Sequence, residues 1–326
     1  MRDVQTIVTH SGTFHADEVT AIAILKTLYP RAEVIRTRDP EITETPDPEG
    51  GKVILDVGGR YSGRDLMFDH HQPGAEKRLN DITYSACGLI WRHFGRDYLR
   101  HLVQEDHLIE RIWREVDFGI ITNIDAGDNG ELGPALGPMH MAERSYTLPA
   151  LIGKLAPASP TATEADFDHA FGVATAMVGT LFEGIVEHAT ARLQNEAMLE
   201  AAIAEQRGQQ ILVLPQYGDP DALIRAAEAD EFLFYTFPDR NGGYCLRGIA
   251  VAPGDYTLRK NLPEEWSGLR GKNLDEVTGV PGGVFCHAKL FLAIHETFDG
   301  VMALAQQAVE APEPDEEDDT MSMECS

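Results

Sequence analysis

Three short apolar runs in the first seventy residues each stop on a titratable side chain, and that placement constrains the fold more than any other feature of the chain. Val4 to Thr9 reads as a buried β-branched strand and is followed by His10; Lys52 to Leu55 is followed by Asp56; Leu66 to Phe68 is followed by Asp69. Ala32 to Arg36 reads as a further strand, and Glu18 to Leu28 as an apolar helix. Open α/β sheets build their sites just outside the carboxyl ends of their strands, which is where His10, Asp56 and Asp69 fall. Taken singly, each is as readily a loop or cap residue. Taken together, with a double histidine beside an aspartate, they point to coordination.

The donors are Thr9-His10-Ser11-Gly12-Thr13-Phe14-His15-Ala16-Asp17-Glu18, Asp56 and Asp69-His70-His71. Imidazole and carboxylate without thiolate suit Mn²⁺, Fe²⁺, Zn²⁺ or Mg²⁺, and a set of six or more can hold two ions a few ångström apart. Two such ions clamp a phosphoryl group.

The first motif, the Ile54-Leu55-Asp56-Val57-Gly58-Gly59 strand end, Phe68-Asp69-His70-His71-Gln72 and Ile124-Asp125-Ala126-Gly127-Asp128-Asn129-Gly130 resemble the DHH phosphoesterase superfamily, in particular its melanocyte-proliferating-gene branch. Further downstream, Leu258-Arg259-Lys260-Asn261-Leu262-Pro263-Glu264-Glu265-Trp266-Ser267-Gly268-Leu269-Arg270 and Gly279-Val280-Pro281-Gly282-Gly283-Val284-Phe285-Cys286-His287-Ala288 resemble the second-domain signatures of that branch, so the likeness covers residues 4 to 309.

The resemblance implies a two-domain enzyme with a mostly parallel sheet flanked by helices in the first domain and a smaller α/β second domain, joined by a helical linker. The expected division is 1–160 catalytic, 161–208 linker, 209–309 substrate-binding and 310–326 a disordered acidic tail. It implies two divalent ions, Mn²⁺ first and Mg²⁺, Zn²⁺ or Co²⁺ as alternatives. His10, His15 and Asp56 would hold one ion, and Asp17, Asp56, His70 and Asp125 the other. A hydroxide between the ions would be the nucleophile, His71 would meet the scissile phosphate or the leaving oxygen, and Asp69 would orient an imidazole. Asp128 and Asn129 read more readily as a tight turn. The branch has been described as a metal-dependent protein hydrolase, but its better-supported activity is 3′ to 5′ cleavage of RNA. The superfamily's usual first motif has a carboxylate where this chain has the His15 imidazole of His10-x4-His15-x-Asp17, a departure that bears on which ion is preferred.

In the second domain the resemblance makes Arg247, Arg259, Lys260, Gly282, Gly283 and His287 the substrate-binding residues. Without it, a glycine pair before an apolar strand is more often a turn. The expected substrate is single-stranded RNA or a short oligonucleotide. A small-molecule phosphohydrolase acting on pyrophosphate or a nucleotide, and a non-catalytic metal-binding interaction protein, are the alternatives.

Charge bears on that choice. The 326-residue chain has a net charge of −26, which disfavours long duplexes, because affinity for a polyanion comes from Lys and Arg neutralising phosphates. Residues 310 to 326 hold eight acidic and no basic side chains, leaving −18 for the rest. Between Arg240 and Lys272, six basic residues face three acidic ones, an excess able to line a phosphate groove. The four cysteines, Cys87, Cys245, Cys286 and Cys325, have no metal-site spacing. With no run of eighteen apolar residues and no basic-then-apolar start, the sequence predicts no membrane partner and a cytoplasmic location.

Between the two halves, Tyr84 to Phe94 and Asp97 to Trp113 read as amphipathic helices, Val116 to Asn123 returns the chain to Asp125, and Gly127 to Pro160 is mostly loop. Thr163 to Arg207 is nearly unbroken helix, with apolar residues at spacings of three and four that suit domain packing or a homodimer. Gln210 to Pro215, Glu231 to Phe237 and Tyr244 to Val251 are the strands expected to follow.

Overall fold

The computed structural model describes residues 3–131, 147–226 and 232–312. The tail read as disordered lies almost wholly outside them, as does much of the loop after Gly127. The chain divides between Ala191 and Arg192 into two compact units.

The first unit is built on a five-stranded sheet of order β2-β1-β3-β5-β4, with β1 Thr6–Thr9, β2 Glu33–Arg36, β3 Lys52–Leu55, β4 Tyr61–Ser62 and β5 Met67–Phe68. All neighbours are parallel except the β4–β5 edge pair. Ile7, Val8, Val53, Ile54, Leu55 and Phe68 are fully buried, as near-continuous apolar strands in a covered parallel sheet should be. Helix α1 (Ala16–Leu28) is buried from Ala16 to Leu25 and is followed by the short α2 (Pro40–Thr43).

Helices α3 (Ala86–Leu102) and α4 (Asp106–Val116) break at Val103–Glu105, not at Gly95 as the sequence suggested. Gly95 is not a breaker but a point of close approach: a Cβ there would lie 2.7 Å from Trp91 and 2.8 Å from the Trp113 indole nitrogen. After α4 come a π-helical turn, Asp117–Ile121, and α5 (Thr122–Asp128), then α6 (Leu148–Gly153). Asp125 therefore sits on a helix.

Helix α7 (Glu164–Glu205) runs across the division of the chain and supplies core to each unit. Phe171, Ala174, Val178 and Phe182 are buried in the first, and Phe171 meets Phe14 edge-on at 5.6 Å. Leu199, Ala202 and Ile203 join the second unit's core with Leu212, Leu223 and Tyr235. Among the described residues α7 is the one helix long and apolar enough by length and composition to cross a membrane, a property it shares with core helices of soluble proteins.

The second unit carries β6 (Ile211–Val213), α8 (Pro220–Ala226), β7 (Phe234–Pro238), β8 (Tyr244–Gly248), α9 (Lys272–Thr278), β9 (Gly283–Cys286), β10 (Leu292–His295) and α10 (Phe298–Glu310). Its sheet, β6-β7-β8-β10-β9, is antiparallel apart from the β6–β7 pair. Phe234, Leu246, Ala293 and Cys286 face α10 and Trp266. The alternation of a strand sends Tyr235, Arg247, Leu292 and Phe285 to the opposite side.

Candidate metal centre

The three strand ends of the first unit converge. Asp56, just past β3, has φ 54°, left-handed backbone that aspartate tolerates better than most residues. Its amide still donates to the Phe68 carbonyl, so the turn begins inside the sheet and presents the carboxylate at the sheet's edge. One oxygen of Asp56 lies 3.3 Å from His10 Nε2 and the other 3.4 Å from His70 Nε2. His10 Nε2 also lies 3.1 Å from Glu18 Oε1, and His70 Nε2 lies 3.1 Å from Asp128 Oδ2 and 3.8 Å from Asp17 Oδ2.

Three groups, two of which share His70, each bring their donor atoms within 4.8 Å of one another: His10, His15 and Glu18; Asp56, Asp69, His70 and His71; and Asp17, His70 and Asp128. Buried Asp56 Oδ1, His70 Nε2 and Glu18 Oε2 have no hydrogen bond. Unsatisfied buried donors and acceptors are costly unless something else meets them, and nitrogen with carboxylate oxygen is the donor set of a divalent cation. The residues fit such ions.

Titration points the same way. Burial would lower the His10 pKa, but hydrogen bonding to Asp56 and Glu18 outweighs it and leaves the pKa at about 10. His70 is likewise lowered by burial and more than restored by Asp128 and Asp56, to about 11. Burial would raise Asp56, yet the imidazoles of His10 and His70 beside it pull it down to about 2. Burial, with the charges of Asp56 and Asp128, pushes Asp17 well above the usual carboxylate range. Imidazolium here supplies the positive charge that so many buried carboxylates require.

Around these groups stands a layer that aims them. Asp69 Oδ1 accepts from the amides of His70 (2.7 Å) and His71 (3.2 Å) and from His71 Nδ1 (2.7 Å), while Oδ2 accepts from the Gly59 amide. His71 Nδ1 is thereby fixed, and Nε2 is the nitrogen left for a substrate. Asp17, fully buried, accepts from Ser85 Oγ and from the amides of Ala86 and Cys87 at the start of α3, where a helix offers unpaired N–H groups. Asp125, implied as a ligand by resemblance, is instead held by Arg78 Nε at 2.5 Å, Ser85 Oγ at 2.7 Å and the Gly88 amide at 3.1 Å, and does not join the convergent groups. Asp128, one turn further along α5, does. Asn129, next along, places its side-chain oxygen 3.2 Å from His70 Nδ1.

A cavity of about 360 Å³ opens over this cluster, lined by His10, His15, Asp17, Asp56, His71 and Asp128 among others, with Arg38 as the one arginine or lysine among the described residues that line it. A larger groove between α1, α3 and α7 is mostly apolar and contains none of these donors.

The second unit treats its expected residues differently. Lys260 Nζ donates to the carbonyls of Val309 and Ala311 at the end of α10, both at 2.7 Å, and Arg259 Nη1 donates to the Phe232 carbonyl at 3.0 Å. The amides of Gly282 and Gly283 both donate to Asp275 Oδ1, and a Cβ at Gly283 would lie 2.9 Å from Leu274. That pair lets β9 approach α9; it is not an open phosphate cradle. Arg247 and His287 do come together: the Arg247 guanidinium lies 5.6 Å and the His287 ring 4.4 Å from the Phe291 ring. Phe285 follows, 6.5 Å from His287, with the Arg270 guanidinium 4.9 Å from it. Two arginines thus flank three half-exposed rings along one strip.

Residues 6–309 match the profile of the MYG1_exonuc family, described as Uncharacterised protein family (UPF0160). The MYG1 protein of Schizosaccharomyces pombe is 30% identical over 334 residues, spanning 96% of this chain and 100% of that protein. The MYG1 exonuclease of Homo sapiens is 31% identical over 327 residues, spanning 91% of this chain and 84% of its own length. That of Mus musculus is 31% identical over 326 residues, spanning 91% and 83%. No solved structure gives a significant match.

Proposed function

Because the chain belongs to the MYG1 family, and its first unit gathers buried imidazoles and carboxylates around Asp56, we propose that it is a phosphodiester hydrolase dependent on two divalent ions, trimming single-stranded RNA from the 3′ end. The observation that carries the reading is Asp56 itself, whose two oxygens face His10 on one side and His70 on the other, the placement of a carboxylate shared between two cations. His10, His15, Glu18 and Asp56 would hold one ion, and Asp17, Asp56, His70 and Asp128 the other. When bound, the ions draw charge from the phosphate oxygens and make water a better nucleophile near neutral pH. Mn²⁺ suits the imidazole-rich set.

The chain's own residues do the rest. The Asp69 carboxylate keeps a proton on His71 Nδ1, so an imidazolium at His71 gives its Nε2 proton to the leaving oxygen as the P–O bond breaks. Asp69-His70-His71 supports placing the family among the DHH phosphoesterases.

For the substrate, both mammalian relatives named above carry the name exonuclease, and the strip of Arg247, Phe291, His287, Phe285 and Arg270 has the exposed rings and flanking guanidinium groups on which single-stranded bases stack. A small-molecule phosphohydrolase draws support from a separate observation, the engagement of Lys260 and both glycine amides inside the fold. A panel of RNA and DNA oligomers, dinucleotides, nucleotides and pyrophosphate, each with Mn²⁺, Mg²⁺, Zn²⁺ or Co²⁺, tests the reading. Stepwise release of mononucleotides from single-stranded RNA is expected. Turnover confined to pyrophosphate or mononucleotides would refute it.

A further inference from the structure

Arg38 lies two residues beyond β2 and is exposed, yet its guanidinium reaches the metal cavity, with Nη2 3.2 Å from His10 Nδ1. Among the described residues it makes no ion pair. Its neighbour in sequence, Arg36, behaves otherwise: that side chain is buried, paired with Asp168 and bonded to the Gly12 carbonyl. One arginine of the pair is structural, and the other has only a histidine nitrogen.

That nitrogen also faces the Ser11 carbonyl at 3.2 Å, so it is shared between two neighbours and holds Arg38 weakly. Exposed and lining the cavity, the guanidinium turns toward a ligand at little cost.

We propose that Arg38 is a substrate-binding residue that clamps the phosphate group in the cavity, contacting its non-bridging oxygens from the His10 side of Asp56 while His71 stands on the His70 side. The ligand class is a phosphate monoester or diester oxyanion. A guanidinium fork matches two such oxygens, and the rest of the cavity's charged lining is acidic apart from imidazoles. The inference rests on the proposed phosphodiester chemistry and adds a residue that the sequence motifs do not contain.

The test compares wild-type protein with Arg38→Gln and Arg38→Lys for three quantities: bound Mn²⁺, affinity for inorganic phosphate by calorimetry, and kcat and KM on single-stranded RNA. Because Arg38 is exposed, both variants should keep the wild-type melting temperature and metal content. Arg38→Gln should bind phosphate roughly ten-fold more weakly and lose roughly 100-fold in kcat/KM, the scale of losing one charge-stabilising donor. Arg38→Lys should recover part of the loss, and added guanidinium ion should partly rescue Arg38→Gln but not wild type. Unchanged phosphate affinity would overturn the proposal, and so would loss of Mn²⁺ in Arg38→Gln, which would make Arg38 a positioning residue for His10. If wild-type protein hydrolyses no phosphodiester, the functional reading falls, and the phosphate affinities still decide Arg38.

Discussion

The two units handle their charged residues in opposite ways. In the first, the side chains that mark the sequence point at one another: His10, Asp17, Asp56, His70 and Asp128 converge, Asp56 Oδ1 and His70 Nε2 are left without hydrogen bonds, and the titration of His10, Asp56 and His70 is shifted. In the second, the residues that look like phosphate binders are mostly satisfied by the fold, with Lys260 closing the end of α10 and the Gly282–Gly283 amides closing on Asp275. Unmet demand marks a site. A basic residue whose protons are already taken is part of the scaffold whatever motif it belongs to.

The sharpest way to break this contrast is at the shared carboxylate. Asp56→Asn should lower kcat by at least roughly a thousand-fold and reduce bound metal, since both ions lose charge neutralisation. Near-normal turnover at saturating Mn²⁺ would show the centre to be misplaced.

Proton linkage gives the next largest effect. In metal-free protein His10 and His70, with pKa values raised from 6.5 to about 10 and about 11, stay charged across the neutral range, and their pairing with carboxylates contributes stability that is full below about pH 6.5 and is lost progressively as the pH rises to those values. A cation must displace both protons. Metal affinity should therefore climb with pH by up to about 100-fold per unit below pH 10, with about two protons released per loaded centre. Calorimetry in buffers of different ionisation enthalpy reads this directly, and binding without proton release would contradict the placement of both imidazoles.

On the proposed reading, Asp125 supports and Asp128 would coordinate, within one helix. Asp128→Asn should cost metal and activity while leaving the melting temperature nearly unchanged. Asp125→Asn should lower it by roughly 5–10 °C, because the amide removes the charge opposite buried Arg78 and can accept at only one of the two positions that Arg78 on one side and Ser85 with the Gly88 amide on the other now use. The reverse pattern, with Asp125→Asn stripping metal from a fully stable protein, would restore the role its motif suggested.

That division shows what the sequence could disclose. The strand ends were legible because β-branched runs that stop on His or Asp carry their own boundary, and Lys52–Leu55 falls where its composition puts it. Asp128 was not, because Gly127 and Gly130 beside it read as a turn, whereas α5 continues through Gly127 and brings Asp128 beside His70. Gly95 misled for the same reason: its small size serves a contact with Trp113, eighteen positions away, and no local rule reveals that. The long helix was legible throughout its length, though not its part in both cores. Lys260 shows the limit most clearly, since its acceptors lie 49 and 51 residues downstream. Local pattern identifies a basic residue, but only tertiary structure shows where its protons go.

The smallest effects fall in the second unit, and they separate strip from scaffold. If Arg247 and Arg270 track a strand's phosphates, replacing each with Gln should weaken oligonucleotide binding several-fold and flatten the dependence of log affinity on log salt by about 0.7 per lost contact. Lys260→Gln should leave that slope alone and instead lower stability by about 1 kcal/mol, the worth of a hydrogen-bonded charge at a helix end. The three variants carry the same change in net charge, so a general field effect would flatten all three slopes equally. Binding measured between 50 and 200 mM salt on a short single-stranded RNA distinguishes the cases: a shallower slope for Lys260→Gln alone would make its contacts with α10 incidental and return it to the substrate, while flattening confined to Arg247 and Arg270 would fix the strand on the strip.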